Sequence, residues 1–261
     1  MLGYAGLMPL DPEFAMRTAA SDVPRANRGQ PRRLLIAGAV GRLGDALLAE
    51  ALSRGGYDEV VALADGDATM SLGVRGLTLA PASMLPRLDS VCIAQTLDPQ
   101  SPDARSFHGR DAPFAMVTRD SMLRIAEAAC AAGARRLVLV DPLPVWQQLS
   151  QLHLGLSNET ELQIAGLPFN GVTVLRPLAQ GGPVVGSWLQ RIAHLYLSLQ
   201  FLMAPRSMPT LTTAQVARVA IDALRTDESG IRVLGVAQIG DLLTKRADKQ
   251  ANTEPAAIDR T

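Results

Sequence analysis

Lysine is nearly missing from this chain of 261 residues: Lys245 and Lys249 are the only two, both near the C-terminus. Their scarcity excludes chemistry that needs an ammonium group in the body of the fold. Arginine carries the remaining positive charge, and it is too bulky and too permanently charged to replace a tunable amine. Net charge is missing as well, because 25 basic residues meet 25 acidic ones. That balance leaves no electrostatic footprint for nucleic acid or an anionic membrane. Cysteine is scarce: Cys92 and Cys130 stand in apolar surroundings, with no CxxC pair and no metal-ligand spacing. The pattern points to buried thiols in a reducing, cytoplasmic setting and to no metal site.

Long uninterrupted apolar runs are absent too. The most apolar stretch, residues 184–204, is interrupted by Gln190, Arg191, His194 and Gln200, so no membrane span is expected. The N-terminus lacks a basic opening, and Pro9 and Asp11 break its apolar run, which argues against a secretory signal. Residues 1–31 mix Pro, Arg, Asp and Gly without period and read as a disordered arm. Against these absences, 48% of the chain is hydrophobic, enough for the core of one large α/β domain or a domain with a small lobe.

The most informative stretch is Arg33-Leu34-Leu35-Ile36-Ala37-Gly38-Ala39-Val40-Gly41-Arg42-Leu43-Gly44-Asp45. Leu34 to Ala37 form a short apolar run without helical spacing, as a strand buried on both faces would. Gly38, Gly41 and Gly44 follow at intervals of three, and Asp45 to Leu52 reads as a helix with Leu47, Leu48, Ala51 and Leu52 on one face. Strand, glycine turn and helix in that order make a dinucleotide-phosphate site. Gly38 permits the tight turn, Gly41 lets a pyrophosphate approach the backbone, and Gly44 lets the helix pack close to the strand. The alternative is an ordinary glycine-rich βα turn. The cofactor contacts then fall on Gly38, Val40, Gly41, Arg42, Leu43 and Gly44.

Further strands are expected over Glu59–Ala64, Leu77–Ala80, Ser90–Gln95, Leu137–Val140, Gly171–Pro177 and Ile231–Val236. Helices are expected over Met116–Ala132, Trp188–Met203 and Gln215–Leu224, the last opened by a capping box at Thr212. Alternating β and α elements specify a doubly wound parallel sheet, Rossmann-like, with a small C-terminal substrate lobe around 178–212 and 231–245. The Trp188–Met203 helix belongs to that lobe or to a homodimer interface, and residues 246–261 read as a flexible tail. Asp65, at the tip of the second strand and about 20 residues past Gly44, stands where such a fold places the carboxylate that holds the adenosine ribose. That favours NAD slightly over NADP, whereas Arg42 would pair with the 2′-phosphate of NADP. Asp65 also reads as a plain turn residue within Ala-Asp-Gly-Asp. His108, in the polar loop 96–112, reads as a solvated side chain.

The loop Gly38-Ala39-Val40-Gly41-Arg42-Leu43-Gly44, the helix and strand at 116–140, Arg176-Pro177 and the Thr-x-x-Gln-Val-Ala-x-x-Ala-Ile run at 212–221 come in order. Together they resemble the atypical short-chain dehydrogenase/reductase family, including its NmrA-like and extended members, over roughly residues 32–243. The resemblance implies NAD(P) binding and a small-molecule carbonyl or hydroxyl substrate. Active members carry a Tyr-x-x-x-Lys pair after the fifth long strand and a serine at its end. Tyr4, Tyr57 and Tyr196 are instead followed four residues on by Met8, Val61 and Gln200. Counting back from Arg176-Pro177, the tyrosine position falls near His153 and the lysine position near Ser157, while Asp141-Pro142 takes the serine's place. His153 would then donate a proton with Asp141 orienting it, or the site has lost its chemistry. A cofactor-binding or regulatory protein, or an oxidoreductase with a non-standard proton donor, is expected.

Overall fold

The computed structural model describes residues 31–54, 56–66, 69–71, 76–96, 113–143, 155–156, 158–178 and 211–251, with backbone alone at 70–71 and 247–251. The described residues from Arg32 onward belong to one compact unit. Strand β1 (Arg33–Ala37) leads into helix α1 (Gly41–Ser53), followed by β2 (Glu59–Leu63), the two-residue β3 (Met70–Ser71), β4 (Leu77–Ala80) and β5 (Ser90–Ala94). Then come α2 (Arg119–Ala131), β6 (Arg136–Val140), α3 (Glu159–Ala165), β7 (Gly171–Arg176), α4 (Thr213–Arg225), β8 (Gly230–Gly235) and α5 (Val236–Ala251).

Seven strands lie parallel in the order β4-β2-β1-β5-β6-β7-β8, and β3 adds an antiparallel edge to β4. The expected doubly wound Rossmann-like α/β architecture is what the chain adopts. β1 pairs with both β2 and β5, so the strand order reverses at the carboxyl ends of β1 and β5. That reversal opens the crevice where open α/β sheets receive ligands.

Two apolar layers follow from the period of two along each strand. Leu34 and Ile36 of β1 face the layer built by Leu47, Leu48 and Ala51 of α1, Val216, Ala220 and Leu224 of α4 and Ile239 of α5. Leu35 and Ala37 face the opposite layer, with Met122, Ile125 and Ala129 of α2 and Ile164 of α3. β6 repeats the alternation, Val138 and Val140 on one side, Leu137 and Leu139 on the other. Both faces of the sheet are thereby covered, which is why its strands read as continuous apolar runs.

Helix bounds differ from the sequence reading, and α2 begins at Arg119 rather than Met116. α1 begins at Gly41 rather than Asp45, with Val40 as its N-cap; low glycine propensity hides that first turn. α3 was not expected. It is short, and of its two larger apolar residues Ile164 is buried while Leu162 is 57% exposed, too little for a visible period. α5 continues to Ala251, past the point where a tail was expected to begin. Val236, Ile239 and Leu243 turn one face of it onto the α4 layer, and Gly235 N–H donates to Gln238 Oε1 at its start. Of the expected lobe, residues 231–235 lie in the eighth strand of the main sheet and 236–245 in α5; 179–210, including Trp188–Met203, lie outside the described residues. Cys92 is fully buried in β5 and its thiol is pushed up to about 12 by burial, while Cys130 is half-buried on α2.

Candidate dinucleotide site

The three loop glycines meet three different surroundings. Gly38 has φ +81°, and a Cβ there would sit 2.0 Å from the carbonyl oxygen of Ala94 on β5 and 3.3 Å from Val117 Cγ2. Gly44 lies where α1 crosses the end of β1; a Cβ would come 2.2 Å from the carbonyl carbon of Ala39. Gly41 has φ +69°, and a Cβ would meet nothing within 4 Å among the described residues. Two glycines are therefore required by contact with the protein's own backbone. The third opens outward at the first residue of α1.

The helix starts underline that opening. α3 and α4 begin with a side-chain cap, Asn158 Oδ1 accepting from Glu161 N–H at 2.8 Å and Thr212 Oγ1 from Gln215 N–H at 3.2 Å. α2 opens with a Thr118–Ser121 capping box. α1 has Val40 in that position and no side-chain cap. Its first turn, with partial positive charge from the aligned peptides, is suited to an anion. Arg42 is exposed on that turn, and Val40 and Leu43 are half-buried beside it.

Asp65 follows β2 and is exposed. A strap formed by residues 113–117 fixes its backbone. Asp65 N–H donates to Pro113 O at 3.0 Å, Ala115 N–H to Leu63 O at 2.9 Å, and Ala64 bridges Phe114 in antiparallel sense. Further along, Thr96 N–H donates to Val117 O at 2.9 Å and Val117 N–H to Thr96 Oγ1 at 3.0 Å. The strap thus joins the carboxyl end of β2 to the segment leaving β5, and Val117, fully buried, passes beside Gly38 on the way. Sequence reading missed it because its contacts, the Thr96 hydroxyl apart, are backbone to backbone and leave no residue pattern.

Asp141 lies just past β6 and is 2% exposed. Glu161, at the first turn of α3, stands close enough to raise its proton affinity. Glu161 in turn accepts from Arg176 Nη2 at 2.7 Å, and Arg176 is fully buried at the end of β7. Burial pushes the Asp141 carboxyl up to about 6; Arg119 and Arg176 pull against that shift, while Glu161 adds to it. Three elements meet in this cluster: the ends of β6 and β7, and α3. Arg176 was legible as the end of Arg-Pro, and Glu161 had a signal in the Asn-x-x-Glu spacing from Asn158. His153, Ser157 and His108 lie outside the described residues.

Among the described residues no group of His, Cys, Asp and Glu is arranged to hold a metal ion, and no helix is long and apolar enough to cross a membrane. No protein-family model matches the chain, and no curated protein matches it. Among solved structures, the chain is similar to the Bordetella bronchiseptica enzyme WbmH in complex with NAD+, at 17% identity over 84% of this chain and 81% of that one, with a TM-score of 0.46. It is similar to MoeE5 in complex with UDP-glucose and NAD at 16% identity over 83% and 82%, TM-score 0.43. A third similar structure is the PhqB reductase domain from Penicillium fellutanum, at 12% identity over 94% and 82%, TM-score 0.42.

Proposed function

We propose that the protein binds a nicotinamide dinucleotide, NAD in preference to NADP, in the crevice between β1 and β5. The observation that carries this reading is the split among the three glycines: Gly38 and Gly44 pressed against backbone, Gly41 with open space at its Cβ position among the described residues, at a helix start without a side-chain cap. Val40, Gly41, Arg42 and Leu43 would hold the pyrophosphate through the first turn of α1, and Asp65 would accept hydrogen bonds from the adenosine ribose. When bound, the nicotinamide supplies hydride chemistry. The chain's own contribution to that chemistry lacks the standard parts, since no lysine precedes Lys245 and no tyrosine has a lysine four residues on. We read it as a cofactor-binding or regulatory protein of the cytoplasm.

Titration with NADH and NADPH by calorimetry tests the proposal. Wild type should bind, and Gly41→Val should remain folded yet bind neither, because its branched side chain fills the approach of the pyrophosphate. Absence of heat from wild type with both dinucleotides refutes it.

One observation favours a second reading, an oxidoreductase with a non-standard proton donor: Asp141, past the end of β6, is buried and its carboxyl is pushed up to about 6 by that burial. In that reading His153 hands the proton to the substrate, with Asp141 and Ser157 supporting it. Turnover of carbonyl compounds at about 1 per second or faster, abolished in His153→Phe with dinucleotide affinity retained, would establish it over the first.

A further inference from the structure

We infer that Thr96 is a positioning residue for the adenosine half of the dinucleotide site, acting through the 113–117 strap. This rests on the dinucleotide reading above and extends it to a residue outside the loop. The strap touches each piece of the proposed site. At its start Pro113 and Ala115 are bonded to Asp65 and Leu63, so the backbone that carries the ribose carboxylate is held by the strap rather than by β4 alone. At its end Val117 lies against the Cβ-free face of Gly38, where β1 turns into the glycine loop. Between them the chain is a single short run of five residues. A shift at either end therefore moves the other.

Thr96 anchors that run. Its backbone N–H donates to Val117 O and its Oγ1 accepts from Val117 N–H, closing a two-bond ring between the segment after β5 and the strap. Val117 is fully buried, so its amide has no ready substitute if the hydroxyl is lost. Phe114 packs into the α1 and α4 layer while Ala115 packs into the α2 and α3 layer. The strap is thus wedged across the sheet edge, and the Thr96 ring sets how far it slides. Among the described residues the hydroxyl is bonded to the strap and not to the glycine loop. Its effect on binding passes through the strap to Asp65.

The experiment compares wild type, Thr96→Val and Thr96→Ser with NADH and with ADP-ribose, below the melting temperature of each protein. Thr96→Val keeps the shape and removes the acceptor; Thr96→Ser keeps the acceptor. Thr96→Val should weaken NADH and ADP-ribose by the same factor of at least about ten, and Thr96→Ser should lie within a few-fold of wild type. Equal affinities for wild type and Thr96→Val, or an equal loss in both variants, overturns the inference while leaving dinucleotide binding intact. A silent wild type overturns both. Should Thr96→Val not fold, hydrogen exchange on wild type decides: the Asp65 and Ala115 amides should exchange at least about tenfold more slowly with saturating NADH, and unchanged exchange refutes the strap's role.

Discussion

Arg176 donates from Nη2 to Glu161 Oε2 across 2.7 Å, with the two side chains at 0% and 2% exposure. A buried ion pair adds little net stability relative to an apolar pair, but removing one partner leaves a desolvated charge. Glu161→Gln should therefore destabilise the protein by about 3–5 kcal/mol. Urea denaturation checks this; a loss below about 1 kcal/mol, the range of exposed pairs, would show that water reaches the pair.

Asp141 makes stability depend on pH in a direction opposite to most carboxylates. Its folded value, pushed up to about 6 by burial, lies above its ordinary value of 3.8. The folded state therefore holds the proton more tightly than the unfolded chain. The stabilisation from that proton is fully present below about pH 4 and is lost as pH rises through 6. Relative to wild type, Asp141→Asn should gain stability between pH 4 and 7, by an amount on the order of 3 kcal/mol at the upper end. Denaturation midpoints of both proteins at several pH values measure it. A wild-type advantage that grows with pH would mean that Asp141 is charged and paired.

The glycines should separate by stability as they do by surroundings. Gly38→Ala combines a left-handed backbone with a clash against Ala94 O, and Gly44→Ala drives a Cβ into Ala39. Each should cost about 3 kcal/mol or more, or prevent folding. Gly41→Ala has the backbone strain alone and should cost about 1–2 kcal/mol. Chemical denaturation ranks the three; Gly41→Ala as the most damaging would contradict the outward opening at that position.

Cofactor preference tests the exposed pair of Asp65 and Arg42. Asp65→Ala should narrow the gap between NADH and NADPH, whereas Arg42→Ala should weaken NADPH selectively. A wild-type preference for NADPH of tenfold, about 1.4 kcal/mol, would reduce Asp65 to a residue of the turn that Pro113 closes.

What was legible in the sequence follows from what each signal rests on. The parallel strands other than β8 were readable because burial on both faces forces apolar runs such as Leu34-Leu35-Ile36-Ala37. The Thr212–Gln215 capping box was readable because it depends on side chains at fixed spacing; both of its bonds are present. The start of α1 was not, since Gly41 has low helix propensity and Val40 before it offers no side-chain cap. β3, two residues long and at the edge, carries no period at all. The Asp141–Glu161–Arg176 cluster joins residues that only the ends of β6 and β7 and the start of α3 bring together. Its members look like ordinary surface charges in the chain, and the fold alone buries them.

The packing of α1 against α4 has a consequence for how the molecule is made. α1 buries its apolar face on α4, and Arg54, just beyond α1, pairs with Asp222 of α4 at 2.9 Å. Everything proposed to touch the dinucleotide, from Gly38 to the strap, leaves the ribosome before α4 exists. At ribosomal rates the interval is on the order of ten seconds, and during it Leu47, Leu48 and Ala51 have no cover from that side. A nascent chain stalled short of Thr213 carries the whole edge proposed to face the nucleotide and lacks α4 to lay its first helix against, so that half of the sheet matures only when the far end of the chain arrives.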